Sequence, residues 1–190
     1  MIVITKDYLK TYERGFTPDK WYVCSDTHFG HTNIIKYCDR PFKDVDEMDE
    51  ALISNWNSVV TDNDIVVHLG DVGFGTNHFI ELVSRLNGYI ILLKGNHDRS
   101  KQIAKLLNSG AVNEYYNNSF QVFWDENEDI LFTHHPIAPA NLSDSIKLNI
   151  HGHLHNNPYD WDDLSRYANV SMEMLNFTPT LLSNYVGSIR

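Results

Sequence analysis

Apolar, β-branched runs of strand length recur at residues 21–24, 65–69, 89–93, 130–132 and 147–150, and each gives way to a polar cluster. Between the first three runs, two segments carry apolar residues at helical spacing. These are Met48, Leu52 and Trp56 within 45–60, and Phe79, Leu82, Val83 and Leu86 within 78–86. The order strand, helix, strand, helix, strand implies parallel pairing through crossover helices, and in such sheets ligands bind outside the carboxyl ends of the strands. After about residue 111 the rhythm changes to strands with short connections, at 119–124, 130–132, 147–150 and 167–172. That change predicts a second, more antiparallel sheet. With no linker, repeat or low-complexity stretch, residues 1–190 read as a single domain.

Composition narrows the class without naming it. A chain of 190 residues, 42% hydrophobic and 21% charged, can bury one sizeable core, so long disorder is not expected. The formal charge of -10 argues against a general duplex-binding surface, which needs Lys and Arg to neutralise phosphates. It leaves room for a small phosphorylated substrate, because cations bound in an acidic pocket reverse the local field. No window approaches the ~20 apolar residues of a membrane span, and Cys24 and Cys38 belong to no paired-thiol motif. The expectation is a cytoplasmic protein with reduced thiols and no membrane partner.

The polar clusters at the strand exits carry the chemistry. The first run leads into Asp26-Thr27-His28, a carboxylate and an imidazole two residues apart that can face one cation. The second ends in Gly70-Asp71, where glycine permits a tight turn and the aspartate projects beyond the strand. The third ends in Gly95-Asn96-His97-Asp98: an amide oxygen able to ligate a hard cation, an imidazole able to move a proton, and a carboxylate able to fix that imidazole's tautomer. The fourth and fifth end in His134-His135 and in His151-Gly152-His153-Leu154-His155, which together hold five of the ten histidines. Any one of these is also a plausible turn or a satisfied buried histidine. Five exits offering oxygen and nitrogen donors with no cysteine among them suit a binuclear hydrolytic site, in which a carboxylate bridges two mutually repelling cations. Asp71 is the candidate bridge.

In this order the motifs resemble the calcineurin-like metallophosphoesterase family over residues 21–155: Asp-x-His, Gly-Asp, Gly-Asn-His-Asp, a single His, then Gly-His-x-His. The resemblance implies an α/β fold, a four-layer α/β/β/α sandwich with two mixed β-sheets. It implies two divalent metal ions, one held by Asp26, His28 and His155, the other by Asn96, His134 and His153, with Asp71 between them. It also makes His97 the catalytic histidine and Asp98 the group that orients it. Residues 167–179 and the Arg40-Pro41-Phe42 tripeptide are similar to small bacterial and phage members.

Such a pair of cations lowers the pKa of a shared water, so that hydroxide can attack phosphorus near neutral pH. The expected activity is hydrolysis of a phosphate ester, with a phosphodiester of a nucleotide or other small molecule favoured because a short chain leaves little room for a capping domain. A phosphomonoesterase on the same core, a non-catalytic scaffold keeping the fold, and a metallo-β-lactamase-like hydrolase are the alternatives; the last lacks its His-x-His-x-Asp-His run here. Nitrogen and oxygen donors suit Mn, Fe, Zn, Ni and Co, with Mn the first choice. His31 and Arg40 are candidate substrate contacts, Lys43 and Arg99 further cations for a phosphate, His68 and His151 buried supporting donors, and His78 helix surface.

Overall fold

Strands covered on both faces must be apolar throughout, and the chain meets that demand in its central sheet. The computed structural model describes residues 2–5, 21–75, 78–125 and 128–186. The strands are β1 (Ile2–Thr5), β2 (Trp21–Cys24), β3 (Ile65–His68), β4 (Tyr89–Leu93), β5 (Glu114–Tyr116), β6 (Phe120–Asp125), β7 (Glu128–Thr133), β8 (Ile146–His151), β9 (Tyr167–Asn169) and β10 (Thr180–Leu181). The helices are α1 (Ile34–Tyr37), α2 (Val45–Val59), α3 (His78–Val83), α4 (Ser100–Ser109) and α5 (Ser183–Val186). One sheet runs β10-β2-β3-β4-β5 and the other β1-β6-β7-β8-β9.

Alternation along the central strands divides the core into layers. Cys24, Val66, Ile90 and Leu92 face the helices, where Met48, Leu52, Trp56, Phe79, Leu82, Val83 and Leu106 cover them. The intervening residues Val23, Ile65, Val67, Ile91 and Leu93 face the other sheet and pack on Ile130, Phe132, Leu148, Ile150 and Ala168. On the far side of that second sheet, Leu131 and Ile146 pack with Leu142 and Ile137 beside the 3-10 turn Pro139–Asn141. The architecture is the α/β/β/α arrangement of two mixed sheets, its fourth layer reduced among the described residues to that turn and its neighbours. Helix α2 begins as its sequence dictates: the Asp44 carboxylate accepts from Glu47 N at 2.9 Å, and Glu47 reaches back to Lys43 N at 2.7 Å.

Three expectations need correction. The second sheet is not mainly antiparallel: only β6 and β7 pair that way, while β1–β6, β7–β8 and β8–β9 are parallel. The physical reason is connection length. Only the β6–β7 link is hairpin-short, whereas the segments after β7 and β8 are long enough to carry the chain back to the same end of the sheet. The strand expected over 167–172 stops at Asn169, and Met172–Leu175 turns into a 3-10 helix. Helix α4 and strand β5 were not foreseen, because α4 buries only Ile103 and Leu106 and β5 spans three half-exposed residues.

Parallel pairing in both sheets has one consequence for function: the carboxyl ends of β2, β3, β4, β7, β8 and β9 all open on the same edge of the sandwich. Trp56 anchors the helical layer beneath it, 1% exposed, with its indole N–H donating to Asn87 O at 2.9 Å. Trp56→Ala is expected to lower the unfolding free energy by about 3–5 kcal/mol, read from urea denaturation.

Candidate metal centre

Each strand exit delivers its polar residue through a locally unusual backbone. Among the expected ligands, Asp26 (φ 60), His28 (φ 54), Asp71 (φ 56), His153 (φ 69) and His155 (φ 51) all lie in the left-handed region. Such residues cost on the order of 1–3 kcal/mol each and persist where surrounding contacts hold them. Those contacts are present. Asp26 N and His28 N donate to Gly70 O and Asp71 O, both at 3.0 Å, tying the β2 exit to the β3 exit. Gly152 N donates to His134 O at 2.9 Å, tying the β8 exit to that of β7. The two sheets are joined at Asp26, whose Oδ2 accepts from His153 N at 2.8 Å and from Ser171 Oγ at 2.9 Å.

The other oxygen of Asp26 is left facing inward. Asp26 Oδ1 and His28 Nε2 are buried, have no hydrogen-bond partner, and lie 3.9 Å apart. His155 Nε2 is 3.8 Å from the same oxygen, and His28 Nε2 is 3.7 Å from Asp71 Oδ2. On the far side of Asp71, His134 Nε2 lies 3.5 Å from Oδ2 and 2.8 Å from Asn96 Oδ1, which also meets His153 Nδ1 at 3.0 Å. All seven expected ligands therefore converge, in two groups that share Asp71. Donor atoms of Asp26, His28 and His155 fall within 4.8 Å of one another, as do those of Asp26, Asp71 and His134. His135, His134 and His153 form a further cluster, with the exposed His135 ring 3.9 Å from that of His153.

The electrostatics suit cations. Burial raises the Asp26 carboxyl and pushes the His28 imidazole well below its ordinary value. Burial would also raise Asp71, but the His134 hydrogen bond and the His134 and His28 charges outweigh it and lower the carboxyl. His153 is lowered to about 4 by burial and by His135 beside it. His134 and His155 move the other way: burial would lower both, but the Asp71 hydrogen bond raises His134, and hydrogen bonds to Cys38 and Glu173 raise His155 to about 10. A divalent ion binding there would displace a proton. Unpartnered buried donors, mixed oxygen and nitrogen chemistry and a shared carboxylate together fit a pair of divalent cations.

Two expected roles change. The Asp98 carboxylate does not meet the His97 ring: it accepts from Asp71 N and Gly95 N, each at 2.8 Å, and from Val72 N at 3.1 Å. It clamps the Asp71 turn to the β4 exit, because inward-pointing amides from the two exits capture the nearest carboxylate. Arg40 does not reach a substrate either. It is 4% exposed, and its guanidinium donates to Asp26 O at 2.7 Å, Thr27 O at 2.9 Å and Glu173 Oε1 at 2.8 Å. His97 stands at the mouth, 46% exposed in its side chain, with Nε2 4.0 Å from Asp71 Oδ2 and its backbone N donating to Asp71 Oδ1 at 2.8 Å. His31 is half-buried, stacked on the exposed Phe74 at 4.4 Å between centroids, with Nδ1 3.4 Å from His28 Nδ1.

The remaining histidines support the backbone. His68 accepts from Gly70 N at 3.1 Å and meets Thr27 Oγ1 at 3.0 Å; His151 meets Tyr159 Oη at 2.7 Å, pinning the loop after β8. His78 is on the exposed face of α3, and Lys43 and Arg99 are exposed. Sequence reasoning missed Ser171 and Glu173. Both lie in the 167–179 stretch that resembles small bacterial and phage members, but that resemblance assigned them no role.

The family described as calcineurin-like phosphoesterase matches residues 20–170. An uncharacterized protein of Methanocaldococcus jannaschii is 38% identical over 177 residues, 90% of this chain and 91% of that protein. The gene 66 protein of Mycobacterium phage L5 is 29% identical over 160 residues, 71% of this chain and 76% of that protein. Among solved structures, a protein of unknown function from Aquifex aeolicus superposes with a TM-score of 0.67 at 23% identity, covering 90% of this chain and 98% of its own, a likeness of fold.

The closeness of the strand exits can be tested at Gly95, where an added Cβ would collide with the Asp71 carboxylate and backbone. Gly95→Ala is expected to lose bound metal by elemental analysis, whereas Gly110→Ala, strained by its positive φ of 75 but at a helix end outside the donor cluster, retains it.

Proposed function

The chain belongs to the calcineurin-like phosphoesterase family, and from that premise we propose that it is a binuclear phosphodiesterase acting on a nucleotide or other small diester. The observation that carries this reading is the buried, unpartnered pair Asp26 Oδ1 and His28 Nε2, set beside Asp71 with the other donors around it. Asp26, His28 and His155 would hold one cation and Asn96, His134 and His153 the other, with Asp71 shared. When bound, the two cations supply charge neutralisation for the phosphoryl group and acidify water for attack on phosphorus.

The chain's own residues do the rest. His97, exposed at the mouth and fixed at its backbone by Asp71, is placed to hydrogen-bond a phosphoryl oxygen or to protonate the leaving oxygen. Asp98 keeps the Asp71 turn from relaxing by holding two of its amides, Asp71 N and Val72 N, together with Gly95 N at the β4 exit. His31 and Phe74 form one wall of the opening. On the opposite side a cleft of about 420 Å³ runs from Asn96 and His134 past His135 to Lys94, Asn117 and Asn118. Walls on both sides of the donor cluster would suit a phosphorus carrying two ester arms, and Lys94 would offer a charge for a further phosphate. This supports a diester over a monoester.

Manganese is the proposed metal, since the donor set has no thiolate and mixes carboxylate, amide and imidazole. A cytoplasmic location is proposed from the buried free thiols of Cys24 and Cys38. Among the described residues no helix is long and apolar enough to cross a membrane.

Parallel assays of bis-p-nitrophenyl phosphate and p-nitrophenyl phosphate with Mn, Ni, Co, Zn and Mg test the reading. The diester should turn over faster, and Mn should support it best; a protein inactive on both esters with every ion would refute the proposal. His97→Ala is expected to lower kcat by about 10²–10⁴-fold while elemental analysis finds the same metal content, and unchanged turnover would remove His97 from the mechanism.

A further inference from the structure

Glu173 and Arg40 form a buried ion pair that the expected ligand set does not use. The Glu173 side chain is 5% exposed and that of Arg40 is fully enclosed. Arg40 Nε donates to Glu173 Oε1 at 2.8 Å, and Nη2 lies 2.8 Å from the same oxygen as an ion pair. Its remaining contacts include the carbonyls of Asp26 and Thr27, so it is fixed to the β2 exit whatever Glu173 does. Glu173 then reaches back into the site: both its oxygens lie 3.0 Å from His155 Nδ1.

An imidazole has two nitrogens, and the one that ligates is decided by what the other donates to. With Nδ1–H given to a carboxylate, His155 presents the Nε2 lone pair towards Asp26 Oδ1, 3.8 Å away, and becomes a more basic ligand. The other three imidazoles of the centre lack this support. His134 Nδ1 meets the neutral Leu69 carbonyl at 2.9 Å, His153 Nδ1 faces Asn96 Oδ1, and His28 Nδ1 faces His31. The two halves of the centre are thus unequal. Asp26 and His28 are buried and His155 is nearly so, while in the other half only His134 is buried, Asn96 being exposed and His153 half-buried.

We infer that Glu173, held in place by Arg40, is a positioning residue that fixes the His155 tautomer and makes the ion at Asp26, His28 and His155 the more tightly bound of the two. Resting on the binuclear reading above, this adds a function for a segment, residues 171–173, that lies just past the family match. Ser171 serves the same half by holding Asp26 Oδ2 and accepting from His155 N at 3.2 Å. Glu173 and Cys38 have donor atoms within 4.8 Å of His155, so direct ligation by Glu173 is the competing role. The guanidinium already on Oε1 neutralises the carboxylate and opposes that role.

The test is titration of the full-length, metal-stripped protein with Mn(II), following free ion by electron paramagnetic resonance, and with Co(II), following its visible absorption. Wild type should bind two equivalents with distinct affinities. In Glu173→Ala the tighter equivalent should weaken by about 10–100-fold and the other should be unchanged. Glu173→Gln keeps an oxygen that accepts from Nδ1–H, is close in shape, and should lose less than Glu173→Ala. Thermal melts of the stripped proteins show whether each variant is folded, and the Gln variant carries the test if the Ala variant is not.

Unaltered binding by the Ala variant would overturn the inference, as would equal weakening of both ions, which marks a general structural role. A Gln variant as impaired as Ala would point to direct ligation and overturn it too. Wild type that binds no metal would instead sink the binuclear reading itself.

Discussion

Two carboxylates, Asp26 and Asp71, are buried with donor atoms within 4.8 Å of each other and of His134, and the rest of the site is organised around keeping them there. Like charges that close in a water-poor place are costly unless opposite charge or hydrogen bonds compensate. The fold supplies the compensation in parts. Asp26 receives His153 N and Ser171 Oγ on one oxygen, and Asp71 receives His97 N and faces His134. What is left over, one oxygen of Asp26 and one nitrogen of His28, is the portion that a cation can satisfy.

Holding those groups together has a cost in backbone freedom. Five of the ligands sit at positive φ, and the chain approaches itself so closely at Gly95 and Gly152 that a Cβ would enter Asp71 in one case and Asp26 in the other. The hydrogen bonds from Asp26 N and His28 N into the β3 exit, and the Asp98 clamp on the Asp71 turn, bind neighbouring exits into one rigid rim. A rim of this kind preserves the positions of its donors when charge is added or removed, which is what preorganised electrostatic catalysis requires.

Support for the site comes from further along the chain than its motifs. The loop after β8 is pinned by Tyr159 on His151, and β9 leads into the 3-10 helix that sets Glu173 against His155. Arg40 crosses from the segment after α1 to meet it, at a sequence separation of 133. A cation with this many fixed acceptors is a structural strut, and its enclosure explains why a guanidinium that could bind a phosphate is not offered to one.

The sequence by itself determined the ingredients and their order. Apolar runs of strand length, helical spacing around Trp56, and polar clusters at each exit were enough to read an α/β fold with donors at five strand exits, because burial and turn formation are local demands written residue by residue. The layered sandwich and the set of seven donors came from the resemblance those motifs carry. Tertiary structure alone decided which groups meet. Whether Asp98 faces His97 or the amides of Asp71, Val72 and Gly95, whether Arg40 is surface or strut, and whether the second sheet runs parallel all depend on contacts between segments far apart in the chain. Glu173 shows the limit best: it lies in a stretch similar to small bacterial and phage members, yet nothing in that stretch gives it a partner, and only the return of the chain after β9 brings it to the outer nitrogen of His155.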